Sequence, residues 1–369
     1  MYNAARTYFE SLAKVIEKIG YQIEIIDINF YSNNKNFLID LKENLKKNNV
    51  KYVIGHNGIA IRSLKEYFDI DSEIENTTFI SLYGDHPIYQ WNRHKKQLDN
   101  ERAVFTDRSH VEFSEEVFNN KGTFVPPGKD LFTPKDIDKN LDLIFVGSIA
   151  NPQKYRDKWL KMGEKLGEIY DELAEYALSK EFLELKKDVD FILNEKGINL
   201  KQEKKEFIYQ KAVYVDKFVR YKRRIKVVNL LKNFDMDVYG AGWEKFITGS
   251  YNCNICGAKN FKEMFEEIRE AKILVNVMPE FPHGGHERVL NSMGLGTAVA
   301  TNANSYLKEN FNDEEDIIYY SWKNMQKLPY KLNRLLANDK KLEQITLSGK
   351  NKIEQSHTLE DRIKLYLGE

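Results

Sequence analysis

The sequence predicts an α/β protein of two parallel, doubly wound domains, the second carrying a helical insertion, and three observations lead there. A length of 369 residues exceeds one ordinary core and suits two. Short apolar runs alternate with amphipathic stretches on both sides of a linker, which is the signature of strands joined by crossover helices. The linker, Pro126 to Asn140, contains PPGKD and TPKD, where proline and charge replace periodic apolar residues.

In chain order, Phe9, Leu12, Ile16 and Ile19 share one helical face, with Gly20 as the stop. QIEIIDI (Gln22 to Ile28) reads as a strand, Phe37 to Lys47 as a helix, and VKYVIGH (Val50 to His56) and TTFISLY (Thr77 to Tyr83) as strands. RAVFTD and GTFVPPG complete the first half, with a helix between them. Domains of this kind usually open with a strand, whereas this chain starts inside a helix, so a late start or a substitute segment is expected. The second half begins at LDLIFVGS (Leu141 to Ser148). Lys154 to Lys232, rich in Lys and Glu and nearly free of Gly and Pro, is expected to be helical, with a solvated charged face and the basic cluster YKRRIK (Tyr221 to Lys226) at the surface. MDVYGAGWEKF resumes the strand pattern, DIIYY is the last strand, and helices follow to the end, the final one with Ser356 or Thr358 as N-cap.

Composition narrows the function. Lys plus Arg and Asp plus Glu balance at 56 each, so no whole-chain field favours nucleic acid or an anionic membrane, and an anion site must be local. No apolar run reaches the length of a membrane span, and the amphipathic N-terminus is unlike a signal sequence, so a cytoplasmic location is expected. Cys253 and Cys256 form a lone C-x-x-C and read as free thiols, buried or half-buried, because a closed zinc site needs four ligands.

The stretch that carries the chemistry is Lys272 to Asn302, KILVNVMPEFPHGGHERVLNSMGLGTAVATN. A buried strand, a loop from Pro279 to Gly285, a helix and a second strand make a phosphate-binding arrangement: Gly284 and Gly285 admit a ligand close to the backbone, and the amides of the helix start point at it. His283, His286, Glu287 and Arg288 add imidazole, carboxylate and guanidinium, which suit a sugar linked to a diphosphate. Arg288 at a helix start is electrostatically costly, which favours a phosphate partner over a bare surface cation. Four histidines, His56, His86, His283 and His286, fall in loops after strands, where open α/β sheets bind ligands. Asp85 and His86 are either a general base for an acceptor hydroxyl or a turn fixed by Pro87.

The run Asn276, Pro279, Gly285, His286, Glu287, Arg288, Val289, Met293, Gly296 resembles the donor-site block of bacterial GT-B glycosyltransferases of the CgeB-like, group 1 kind. The resemblance implies two Rossmann-like domains facing a cleft: an acceptor-side domain over 1–130, a nucleotide-sugar domain over 131–355 with the insertion at about 154–232, and a helix over 356–369 crossing back. It implies donor contacts at Gly147, Ser148, Tyr239, Gly240, Trp243, His283, Gly284, Gly285, His286, Arg288 and Asn291. Trp243 reads equally well as a packing residue at a tight turn. Catalytic roles would fall to Asp85, His86, His56 and Glu287. Many retaining members carry a second glutamate where this chain has Asn291, which leaves the stereochemical course open. The expected partners are a nucleotide-sugar donor and a glycan, protein or small-molecule acceptor, with no metal or other cofactor. A sugar-nucleotide epimerase and a non-catalytic nucleotide-sugar-binding protein are the alternatives.

Overall fold

The computed structural model describes residues 2–26, 35–59, 61, 76–98, 100–130, 137–247, 249–278 and 280–368. The chain divides into two compact units, residues 5–127 with 359–368 and residues 128–358 with 2–4.

The N-terminal unit is a four-stranded, all-parallel sheet in the order β1 (Tyr52–His56), β2 (Thr78–Tyr83), β3 (Glu101–Phe105), β4 (Gly122–Phe124). Helix α1 (Tyr2–Lys18) buries Leu12, Val15 and Ile16, spaced as a helical stripe requires. Helix α2 (Lys35–Lys47), the short α3 (Trp91–His94) and α4 (Arg108–Phe118) follow in the chain. Asp107 caps α4 by accepting from the Ser109 amide at 2.8 Å, and Asn119 ends it in the left-handed conformation. The expected strand Gln22 to Ile28 is not formed over 22–26: among the described residues these pair with no strand, and Ile25 is 51% exposed. Residues 27 and 28 lie outside the described residues. The closing helix, Leu359–Leu367, joins this unit through its buried Leu359, Ile363, Tyr366 and Leu367.

The C-terminal unit holds a six-stranded parallel sheet in the order β10 (Ile318–Tyr320), β9 (Ala298–Asn302), β8 (Ala271–Asn276), β5 (Leu141–Val146), β6 (Met236–Tyr239), β7 (Asn254–Gly257). The chain runs outward from β5 to β7, returns to β8 on the other side of β5, and runs outward again to β10. The order therefore reverses between β5 and β8, and the crevice at their carboxyl ends is where such sheets take ligands. The sequence does not predict β7; Cys253, just before it, is buried, Cys256 within it is half-buried, and both are free.

Between β5 and β6 stand five helices: α5 (Gln153–Leu160), α6 (Glu164–Ser179), α7 (Leu185–Glu195), α8 (Gln202–Lys211) and α9 (Val213–Leu231). They have a core of their own, with Trp159, Tyr170, Leu173, Val189 and Val215 fully buried. Trp159 meets Phe218 edge to face at 5.3 Å and donates to Asp171 at 3.0 Å, while Arg156 binds the same carboxylate through two nitrogens. The remaining helices are α10 (Phe261–Glu270), α11 (Glu287–Gly294), α12 (Ser305–Asn310), α13 (Leu328–Leu336) and α14 (Asp339–Ser356).

Candidate functional site

The strand ends of β5 and β6 are locked together. The Gly147 amide donates to Tyr239 O at 2.8 Å, the Ile149 amide to Ala241 O at 2.9 Å, and the Ala241 amide to Ser148 Oγ at 3.1 Å. Gly240 makes this possible: its φ is +137°, and a Cβ there would stand 2.5 Å from the Gly147 carbonyl oxygen. Trp243 is fully buried and donates from Nε1 to Gly147 O at 2.9 Å, so it clamps the turn from inside.

On the other side of the reversal, the loop after β8 is tied down by asparagines. Asn302 Oδ1 accepts from the Met278 amide at 2.8 Å, and Asn304 Nδ2 donates to Phe281 O and Gly284 O, both at 2.7 Å. Pro279 lies outside the described residues. Gly284 and Gly285 do not use the left-handed conformation. His286 is the N-cap of α11: its buried Nδ1 accepts from the Arg288 amide at 3.1 Å. Burial, reinforced by Arg288, Arg224 and Arg220, holds this imidazole well below its ordinary pKa, so it is a neutral cap and its contact with Glu287 is no ion pair. Arg288 reaches back to donate to Asn276 Oδ1 at 3.1 Å, at the very end of β8. Asn276 is held in turn by its own bond to Thr301 Oγ1 at 3.0 Å and by Tyr320, whose hydroxyl donates to Asn276 O at 2.8 Å.

These elements wall a cavity of about 540 Å³ within the C-terminal unit. One part of its lining is polar: Gly147, Ser148, Glu287 and Arg288. Another is apolar and comes from α10: Phe261, Met264, Phe265 and Ile268. Tyr239, Gly240 and the β7–α10 connection, Ala258 to Asn260, complete it. Tyr239 donates to Glu267, which also pairs with Lys259, and the Lys259 ammonium lies 5.4 Å from the Tyr239 ring centre. Asn260 and Glu263 form a reciprocal capping box that fixes the start of α10. That Asn-x-x-Glu spacing before an apolar run was the signal that would have placed α10 beside the site.

Of the expected donor residues, Gly147, Ser148, Tyr239, Gly240 and Arg288 therefore line one cavity, together with Glu287, expected to be catalytic, and Trp243, His283, Gly284, Gly285, His286 and Asn291 do not. His283 lies between Ser305 Oγ, at 2.9 Å, and Glu184 Oε2, at 3.3 Å, tying the loop to the insertion. Asn291 is fully buried and clasps Asp130: it accepts from the Asp130 amide at 2.8 Å and donates to Asp130 Oδ2 at 3.0 Å. Burial pushes the Asp130 carboxyl up to about 7, with the nearby Glu287 charge adding to the effect.

Of the basic cluster Tyr221 to Lys226, expected at the surface, Lys222 and Lys226 are exposed, whereas Arg223 and Arg224 turn inward. Arg223 is buried, donating to the carbonyls of Ala177 and Lys180 and stacking over Trp322 at 4.9 Å. Arg224 is half-buried, and its Nη1 donates to Ser148 O at 2.6 Å. The physical reason is register: Arg220, Arg224, Val228 and Leu231 fall on one face of α9, and that face packs on the sheet unit.

In the N-terminal unit, His56, Asn57 and Asp85 meet at the ends of β1 and β2. Asn57, at φ +51°, donates to Asp85 Oδ2 at 3.3 Å and accepts from the Gly84 amide at 3.1 Å, and Arg93 donates to Asn57 O at 3.2 Å. Burial, with Arg93 adding to it and Asp85 opposing, lowers the His56 pKa. His86 is turned inward: its Nδ1 accepts from the Ile88 amide at 3.1 Å, and its ring packs on His110 and Phe113 at 4.6 and 4.7 Å. Its place in the structure is a cap and a packing residue.

Among known proteins, the family model described as "Glycosyl transferase-like" matches residues 220–368. No curated protein matches the chain by sequence. Among solved structures, sucrose-phosphate synthase from Thermosynechococcus elongatus is similar, with a TM-score of 0.56 at 10% identity, over 98% of this chain and 91% of that one. HepE from Anabaena, solved in complex with UDP-glucose, gives 0.52 at 10% identity over 90% and 80%. The BGT of phage T4, also in complex with UDP-glucose, gives 0.51 at 10% identity over 97% and 91%. Fold and family match define the class, a glycosyltransferase of GT-B architecture. The matched segment runs from α9 to the closing helix, so it contains the apolar wall of the cavity, Tyr239 and Arg288.

Proposed function

We propose that the cavity binds a nucleotide-sugar, with a UDP-sugar as the first candidate, and that the enzyme transfers the glycosyl group to an acceptor hydroxyl. The observation that carries this reading is Arg288, a half-buried guanidinium held at the end of β8 on the wall of a cavity with a polar end at Gly147, Ser148 and Glu287 and an aromatic and apolar side from α10. The base would lie against Phe261, Met264 and Phe265, as nucleosides do in mostly apolar pockets with few polar contacts. The diphosphate would lie at Gly147, Ser148 and Arg288, and Glu287, at the cavity wall and half exposed, would accept from sugar hydroxyls.

In transfer, the bond from the anomeric carbon to the diphosphate oxygen breaks and the acceptor oxygen bonds to that carbon, while its proton passes to a base. Arg288 and the start of α11 favour the charge that grows on the departing diphosphate, and the proposal requires no metal. His56, neutral at physiological pH because its pKa is lowered, is our candidate base, with Asp85 holding the Asn57 turn beside it. The run from Asn276 to Gly296 supports placing the chain among the CgeB-like enzymes, and donor supply favours the cytoplasm. The two UDP-glucose complexes make that donor the first to test. Thermal shift against nucleoside diphosphates and their sugars is the experiment, because a ligand that binds only the native state raises the melting temperature by mass action. If no nucleoside diphosphate raises it, the reading is wrong.

A further inference from the structure

The insertion is more than an appendage to the second sheet, because its last helix sends Arg224 to the strand end that forms one wall of the cavity. The guanidinium packs directly on Gly147: a Cβ at that glycine would stand 3.1 Å from Arg224 Cζ. Its Nη1 is bound to Ser148 O at 2.6 Å, while Nε is buried and has no hydrogen-bond partner. The neighbouring arginines of α9 are compensated. Arg220 is paired with Asp216 and Glu280, and Arg223 with two carbonyls. Among the described residues Arg224 has no carboxylate bound to it, and burial together with the Arg220 and Arg288 charges lowers its pKa to about 9.

Sheet register shows where this cation stands. Phe145 of β5 pairs with Val275 of β8, so the next residues, Val146 and Asn276, lie side by side at the strand ends. Neighbouring strands are about 5 Å apart. Arg288 is held on Asn276 and Arg224 on Ser148, so the two guanidiniums flank the same reversal point from its two sides. Two half-buried cations of like sign beside one reversal point, one of them with a buried N–H that has no hydrogen-bond partner, favour an anion with several oxygens, and a diphosphate spans such a gap.

We infer that Arg224 is the second guanidinium of the donor's diphosphate site, supplied by the insertion and paired across the strand ends with Arg288. This rests on the nucleotide-sugar reading. The insertion thereby becomes part of the donor site, and the Ser148 carbonyl positions Arg224 for it.

Calorimetric titration of the full-length protein with UDP, uridine and inorganic pyrophosphate tests the inference in wild type, Arg224→Gln, Arg224→Lys and Arg288→Ala, with ADP and GDP run beside UDP to fix the base. Arg224→Gln should weaken the diphosphate by about tenfold or more, leave the nucleoside unchanged, and flatten the salt dependence of diphosphate binding. Arg224→Lys should recover part of the loss, because it keeps the charge without the planar fork. If Arg224→Gln does not fold, Arg224→Lys decides the matter by the same contrast of diphosphate with nucleoside. Equal loss of nucleoside and diphosphate, or no loss, would overturn the role of Arg224 while Arg288→Ala still weakens the diphosphate. Should the wild type bind none of the nucleoside diphosphates or pyrophosphate, the nucleotide-sugar reading falls as well.

Discussion

Arg288 and Asp130 show how far single side chains can be followed. If Arg288 holds the diphosphate as proposed, Arg288→Ala removes a charge-assisted contact that strengthens as the leaving group gains charge, so kcat should fall by more than donor binding does, by about 2–4 kcal/mol at the transition state. A turnover assay beside a nucleotide titration checks this; unchanged kcat would make Arg288 a bystander. His56→Ala should instead lower transfer and leave nucleoside diphosphate affinity intact, since His56 belongs to the other unit. Asp130 makes a prediction about pH. Its folded pKa of about 7 stands above the ordinary 3.8, so between those values the folded state holds a proton that the unfolded chain has released. Stability therefore falls as pH rises from about 4 to about 7, then levels off. Asp130→Asn, which keeps an acceptor for Asn291, should abolish that slope and stabilise the protein at pH 8 by on the order of 2–4 kcal/mol, as denaturant titrations across pH will show. The same clasp shows why an amide suits position 291. A carboxylate there would face Asp130 in a buried site, two like charges at hydrogen-bond distance.

At the scale of elements, the site depends on two turns pressed together, and Gly240 is the contact. Gly240→Ala would drive a methyl into the Gly147 carbonyl and force an L-residue to φ +137°, so the turns must separate. The expected result is lost nucleotide affinity with a lower melting temperature, whereas Ser148→Ala, which removes only an acceptor for the Ala241 amide, should cost about 1 kcal/mol of stability. Most strands were legible because parallel strands buried on both faces read as continuous apolar runs. β7 was not: it is short, lies at a sheet edge and carries Asn254 and Cys256. Residues 22–26 have the residue types of a strand and no strand partner among the described residues, since pairing is a property of two segments and a sequence shows one. Of the polar part of the cavity, Glu287 and Arg288 were legible from the strand–loop–helix pattern, and Gly147 and Tyr239 from the family resemblance. Arg224 was not, because a basic stretch on a charged helix reads as a solvated face. The four-residue spacing of Arg220 and Arg224, in line with Val228 and Leu231, marks them as belonging to the buried stripe.

Over the whole molecule, the N-terminal unit is built from both ends of the chain. The hydroxyls of Tyr8 and Tyr366 meet at 2.9 Å, Lys18 pairs with Glu360, and Leu359, Ile363, Tyr366 and Leu367 are each at most 3% exposed. Ending the chain after Thr358 uncovers those four sites, each worth about 1.5–3 kcal/mol of burial, which is comparable to the whole stability of a domain. Calorimetry should then show one transition lost while residues 128–358 keep theirs, and limited proteolysis should cut the first 127 residues selectively; an unchanged thermogram would show that the closing helix is dispensable. During synthesis the same connectivity sets an order of events. The segment from 128 to 358 is continuous and can close as it emerges, but the first 127 residues must wait, at about 5–20 residues per second, for on the order of tens of seconds until the final helix leaves the ribosome. Throughout that interval Leu12, Val15 and Ile16 of α1 lack their finished surroundings, so the nascent N-terminal half keeps apolar surface in water longer than the C-terminal unit does.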